Sequence, residues 1–143
     1  MTTNKSYIAI LFLLVFTGCS TTNNTDKIVT TGTGLKYSIL KNGNGEIAKT
    51  GDEVAVYESM SLSGGKLIYS IAKPAPPIKF VIGKKQATEG VEQGVTGMEE
   101  GEIRKLIVPP SLSKRKDYPD YLSPDSTLIY EIELVEITKI INQ

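Results

Sequence analysis

Residues 97–112 read Gly97-Met-Glu-Glu-Gly-Glu-Ile-Arg-Lys-Leu-Ile-Val-Pro-Pro-Ser-Leu112, or GMEEGEIRKLIVPPSL. A charged turn leads into a short apolar strand, Glu102 to Val108, which stops at Pro109-Pro110. Proline has no N–H to give a sheet and fixes its own φ, so the pair ends the strand. Just before this stretch lies the one good helical pattern. Ala87, Val91, Val95 and Met98 recur at spacings of four, four and three, which places them on one helix face. Gly90 and Gly94 interrupt that helix at about 1 kcal/mol each relative to Ala, and imply close approach to a sheet. Gly97 fits a C-cap. Beyond the prolines, Ser111 to Ser126 forms a long polar loop carrying Lys114-Arg115-Lys116. A loop of this length in a compact domain is usually functional. The charge run reads first as a solvated loop face, with anion binding as the alternative.

Working outward, the remaining segments read as strands and turns. Leu35-Lys-Tyr37-Ser-Ile39 alternates apolar and polar residues, a strand with one buried face. Asn42-Gly-Asn-Gly45 is turn chemistry. Glu53 to Leu62 is a longer strand, Ser63-Gly64-Gly65 a tight hairpin, and Lys66 to Ile71 the return strand. Lys73-Pro-Ala-Pro-Pro77 is an exposed connection to a strand at Ile78 to Ile82. Leu128, Tyr130, Ile132 and Leu134 alternate with Ile129, Glu131 and Glu133, an edge or half-buried strand. The order predicts an α+β domain, an antiparallel sheet packed on a single short helix.

The N-terminus reads as an address. Lys5 precedes Tyr7 to Phe16, ten residues without charge. A membrane-spanning helix needs about 20 apolar residues, so this is an export signal. It ends in Phe16-Thr-Gly-Cys19, small residues before a cysteine, which resembles a bacterial lipoprotein signal with Cys19 as the lipidated first residue of the mature protein. The alternative is an ordinary export signal with an incidental cysteine. Residues 19–33 are rich in Thr and Asn and read as a flexible tether, with a coil span of about 20 Å. The predicted organisation is a signal at 1–18, a tether at 19–33, a domain at 34–138 and a tail at 139–143. The expected setting is the bacterial cell envelope, anchored through Cys19, with Ser20 after the cysteine resembling lipoproteins of the outer membrane facing the periplasm.

Composition excludes several chemistries. Cys19 is the single cysteine and there is no histidine, so nucleophile–histidine catalysis and most zinc sites have no basis. No calcium-loop spacing or phosphate-binding glycine loop occurs, and neither a metal nor a cofactor is expected. Sixteen basic residues balance sixteen acidic ones. A nucleic-acid partner, which needs a basic excess, is not expected.

The segments TGLKYSIL, GDEVAVY, KFVIG, EGVEQGVTGMEEGEIRKLIVPPSL and DSTLIYEIELVEI, spanning Gly34 to Thr138, resemble the FKBP-type peptidyl-prolyl cis-trans isomerases in order and spacing. That resemblance implies a curved antiparallel sheet wrapped around one short helix, with an apolar pocket between them. The two prolines would end a strand at the pocket rim and launch the loop covering it. Carried over residue by residue, Tyr57 matches a pocket tyrosine and Tyr130 a pocket phenylalanine. The family's Phe-Asp pair falls on Ile68 and Tyr69 after a one-residue insertion, making Tyr57, Ile68, Tyr69 and Tyr130 the implied catalytic set. Ile78, Ala87, Thr88, Val91, Lys114, Tyr121 and Leu122 fall on substrate-binding positions. The implied activity is isomerisation of X-Pro bonds in exported, proline-containing polypeptides by a monomer. The alternative is a non-catalytic peptide-binding or chaperone-type lipoprotein. The chemistry suits a chain without histidine. The X-Pro bond turns over a barrier of about 20 kcal/mol through a twisted amide that has lost its resonance. A water-poor pocket favours that twisted form without acid, base or metal.

Overall fold

The computed structural model describes residues 27–140. In chain order these form β1 (Val29–Thr30), β2 (Lys36–Lys41), β3 (Glu53–Leu62), β4 (Leu67–Ile71), β5 (Ile78–Val81), α1 (Glu89–Val95), β6 (Ile103–Val108) and β7 (Leu128–Thr138), with a 3-10 turn at Pro110–Leu112. The strands make one antiparallel sheet in the order β1-β2-β6-β7-β3-β4, and β5 also pairs with β3. The signal and Cys19 lie outside the described residues.

The sheet curves where the ten-residue strand β3 is shared between two partners on one edge. One edge of β3 takes β5 along Glu53–Val56 and then β4 along Glu58–Ser61. Register shifts fall between Ile39 and Lys41, between Ala55 and Val56, and between Met60 and Ser61. An extra residue on one strand bends it and increases its twist. The alternation of β3, β6 and β7 then turns one set of side chains to the concave face. Val54, Val56, Met60, Leu106, Val108, Leu128, Tyr130, Ile132 and Leu134 are each at most 2% exposed.

Helix α1 lies against that face, with Val91 and Val95 buried. The two glycines do what their spacing implied. A Cβ on Gly90 would overlap Val108 Cγ1 and stand 3.2 Å from the Leu112 carbonyl oxygen, and one on Gly94 would overlap Leu106. The helix is shorter than its apolar stripe. Thr88 is already extended, Ala87 precedes it, and Met98 lies beyond Thr96, whose ψ of 126° ends the helix, and Gly97, whose φ of +82° completes the turn.

The C-terminal end of α1 is held by Arg104, an inward residue of β6. Its Nη1 donates to the Gly94 carbonyl at 2.9 Å and its Nη2 to the Gly97 carbonyl at 3.4 Å. Its Nε donates to Glu102 at 2.6 Å, and its guanidinium lies 4.5 Å from the centre of the Tyr37 ring. A cation thus meets the negative end of the helix and satisfies carbonyls that the last turn leaves open.

Pro109-Pro110 acts as a strand stop and a turn start. Pro109 is extended, and Pro110 opens the 3-10 turn at the position where a missing N–H costs nothing. One boundary is corrected and one open reading is resolved. Val29 and Thr30 pair with Tyr37 and Lys36, so the ordered domain begins before Gly34 and the tether cannot reach residue 33. The Thr-rich composition hid this two-residue strand. Of the two readings of the last strand, the half-buried one holds, since β7 lies between β6 and β3 and is not an edge. Its alternation reflects a solvated convex face, a pattern that an interior strand of a one-sided sheet shares with an edge.

Candidate active site

A cavity of about 480 Å³ opens between the start of α1, β5 and the loop after the 3-10 turn. This volume suits a small ligand or a few residues of peptide. Seven of the eleven positions implied by the resemblance line it: Tyr69, Ile78, Ala87, Thr88, Val91, Lys114 and Tyr130. They arrive from separate elements of the fold. β4 brings Tyr69, β5 brings Ile78, β7 brings Tyr130, and the entry to α1 brings Ala87, Thr88 and Val91. Thr88 stands at the N-cap, yet its hydroxyl makes no capping bond, and its Oγ1 is buried without a hydrogen-bond partner among the described residues.

Four positions fall elsewhere. Tyr57 points to the convex face, where its hydroxyl donates to the Ala75 carbonyl at 3.1 Å and Lys73 lies 5.6 Å from its ring centre. The inward residues of β3 are Val54, Val56, Glu58 and Met60, so strand parity turns Tyr57 away. Ile68 occupies the extra position between Leu67 and Tyr69 in the β3–β4 pairing and packs on the core instead of lining the cavity. Leu122 is 3% exposed and sits in the core beneath the loop, while Tyr121 next to it is 59% exposed.

In place of Tyr57 the cavity receives Glu58. The Tyr69 hydroxyl donates to Glu58 Oε1 in a short hydrogen bond. Where the resemblance implied a tyrosine on the first strand and an acid on the second, the chain has the acid on β3 and the phenol on β4. Arg115 completes the group. Its Nη2 donates to the Tyr130 hydroxyl at 3.3 Å and lies 3.9 Å from Met60 Sδ, and its Nε donates to the Ser113 carbonyl at 3.4 Å.

Burial governs the protonation of this group. Desolvation raises the Glu58 carboxyl above its ordinary value, against the opposing pull of the Tyr69 hydrogen bond and the Arg115 charge. Burial, reinforced by the Glu58 charge, pushes the Tyr69 phenol far above the ordinary phenol range. Burial also raises Tyr130, with Arg115 opposing it. Both phenols keep their protons at neutral pH and act as donors. Tyr69 spends its proton on Glu58. Tyr130 accepts from Arg115 and retains a proton to give.

The wall is less apolar than the resemblance implied. Ile78, Phe80, Ala87 and Val91 supply the apolar part, while Lys79, Lys85, Gln86, Lys114, Arg115 and Lys116 supply a polar mouth. Sequence reasoning missed Glu58, Phe80 and Arg115. The parity of Val54, Val56 and Met60 could have found Glu58, but a charged residue in an inward slot argues against burial unless its partners are known.

The comparisons with known proteins agree with this geometry. A family model described as FKBP-type peptidyl-prolyl cis-trans isomerase matches residues 44–135. The chain is 32% identical over 131 residues to "FK506-binding protein 2" of Yarrowia lipolytica, covering 91% of this chain and 90% of that protein. It is 32% identical over 105 residues to the "46 kDa FK506-binding nuclear protein" of Spodoptera frugiperda, covering 73% of this chain but only 26% of that longer protein. Among solved structures, FkpA from Escherichia coli is similar at a TM-score of 0.70 and 28% identity, over 81% of this chain and 54% of that one.

Proposed function

Because this chain belongs to the FKBP-type peptidyl-prolyl cis-trans isomerase family, we propose that its cavity isomerises X-Pro bonds of polypeptides. The observation that carries this reading is the convergence of Tyr69, Tyr130, Ile78 and the start of α1 on one cavity of peptide size. Ile78, Phe80 and Val91 receive the proline ring and exclude water. The planar amide is polar and well solvated outside, while the twisted amide has lost its resonance and with it much of its need for water. The cavity therefore favours the transition state over the ground state. Tyr130, which keeps its proton, donates to a carbonyl oxygen of the bound chain and fixes one side of the bond while the other turns.

The reading extends to location. The Thr17-Gly18-Cys19 ending supports export as a lipoprotein, lipidated at Cys19 and held at the envelope, with exported chains as substrates. Intact mass of the mature protein tests this. A start at any residue other than a lipidated Cys19 removes it.

A protease-free assay tests the activity, with exchange between the cis and trans signals of X-Pro peptides followed by NMR. Faster exchange in the presence of the folded protein, lost in Val91→Glu with the fold retained, is expected. Peptide binding by a folded protein without any acceleration would leave a peptide-holding module in place of the enzyme.

A further inference from the structure

The chain carries sixteen positive and sixteen negative residues, but the cavity does not share that balance. Lys79, Lys85, Lys114, Arg115 and Lys116 line it against a single carboxylate, Glu58. Glu58 is itself engaged by Tyr69. Among the described residues, the ion pairs within 4.0 Å join Lys73 to Glu133, Arg104 to Glu102, and Lys139 to Glu46 and Asp52. None includes a cation of the cavity, and Asp117, next to Lys116 in the chain, pairs with none of them. These five cations come from three separate segments, namely β5, the turn after it, and the loop after β6. Lys85 holds a φ of +55°, a conformation that glycine or asparagine adopts at lower cost.

Arg115 differs from the lysines. It is half-buried in the wall, and its hydrogen bonds leave Nη1 without a partner among the described residues. A guanidinium in that state offers donors in a fixed plane to a carboxylate.

Resting on the isomerase reading of the same cavity, we infer that it selects X-Pro segments bearing a carboxylate beside the proline. Lysines around a concave, partly apolar mouth focus a positive potential there, which raises the encounter rate of anionic chains and repels cationic ones. Arg115 then reads the carboxylate at short range while the apolar wall takes the ring.

The test uses capped peptides identical except for Glu, Gln or Lys next to proline, on each side in turn. The expected order of kcat/KM is Glu, then Gln, then Lys, with about fivefold between the ends at low salt, equivalent to about 1 kcal/mol. The spread should collapse toward equality in 0.5 M salt, because screening shortens the reach of surface charges to a few ångströms. Arg115→Gln, and separately Lys114→Gln with Lys116→Gln, should narrow the spread in proteins whose melting shows them folded. Equal turnover of all peptides at low salt overturns the charge selection and leaves the isomerase reading standing. Absence of both binding and turnover for every peptide overturns the isomerase reading itself. Binding to phosphatidylglycerol vesicles that is lost in the lysine variants, with a flat peptide series, assigns the cations to a lipid surface and overturns the inference.

Discussion

Gly94→Ala is the sharpest test of how the helix meets the sheet. On an exposed helix this change stabilises by about 1 kcal/mol, because alanine gives up less backbone freedom. Here the new methyl overlaps Leu106 Cδ1, stands 2.7 Å from Cδ2 and 3.1 Å from Cγ. Leu106 is fully buried, so its branched end has nowhere to retreat. Forcing one methyl into a packed core costs about 1–3 kcal/mol. With three Leu106 atoms crowded at once, the upper half of that range applies and the steric cost wins. The net loss is about 1–2 kcal/mol, or a fall in Tm of about 5–10 °C for a domain of this size. Differential scanning calorimetry reads it directly. Gly64→Ala is the control, since nothing lies within 4 Å of its Cβ, and it should leave Tm nearly unchanged. Leu106→Val in the Gly94→Ala background should recover part of the loss. A Gly94→Ala protein as stable as the parent would refute the view that close packing dictates glycine there.

The other expectations concern the buried polar groups. Tyr69→Phe strips Glu58 of its donor and should cost about 1.5–3 kcal/mol in urea unfolding, with a smaller loss when Glu58→Gln is already present. Burial raises the folded-state value of Glu58, so its contribution to stability is fully present below its unfolded value of 4.5 and is lost as pH rises through the folded one. The Tm of Glu58→Gln relative to the parent should therefore climb as pH rises above about 4.5, and a difference independent of pH would contradict the burial argument. Arg104→Ala leaves Glu102 unpaired and the helix end open, and should cost about 3–5 kcal/mol, whereas the Arg104→Met, Glu102→Gln double variant should lose less. Tyr130→Phe should weaken proline-peptide binding in an NMR titration, while Tyr57→Phe, on the convex face, should leave it unchanged.

The fold was legible because its signals are local. The period of Leu128 to Leu134, the glycine spacing in α1 and the proline pair each carry their own physical reason. The cavity was only half legible. Tyr57 and Glu58 are neighbours in sequence, and a one-residue choice of parity decides which faces inward. Val54, Val56 and Met60 point to Glu58, but Ala55 is buried as well and a charged residue in an inward slot reads as an error until its partners are known. The partners that make Glu58 tolerable, Tyr69 and Arg115, lie on β4 and in the loop after β6. Ile68 escaped for a related reason, since an extra residue in a hairpin says that a bulge exists but not which side chain it displaces. Arg104 shows the same limit at the other end of α1. An arginine within an apolar strand gives no hint that helix carbonyls wait for it.

The chain enters the sheet through β1, a ladder of two residues at its outermost edge. The strands that line the cavity, β3, β4, β5 and β7, lie toward the far end of the strand order, with the start of α1 and the loop after β6 completing the wall. Tension applied at residue 27 therefore falls first on the pairing of Val29 and Thr30. That short ladder yields before any other, and the turn from Thr31 to Gly34 and the 2.7 Å bond from Thr33 to Gln93 on α1 come next. Each adds slack before the longer ladders of β6, β7 and β3 are reached. The domain thus has a mechanical fuse on its N-terminal side: a pull that peels its first residues leaves the strand register around the peptide-sized cavity in place.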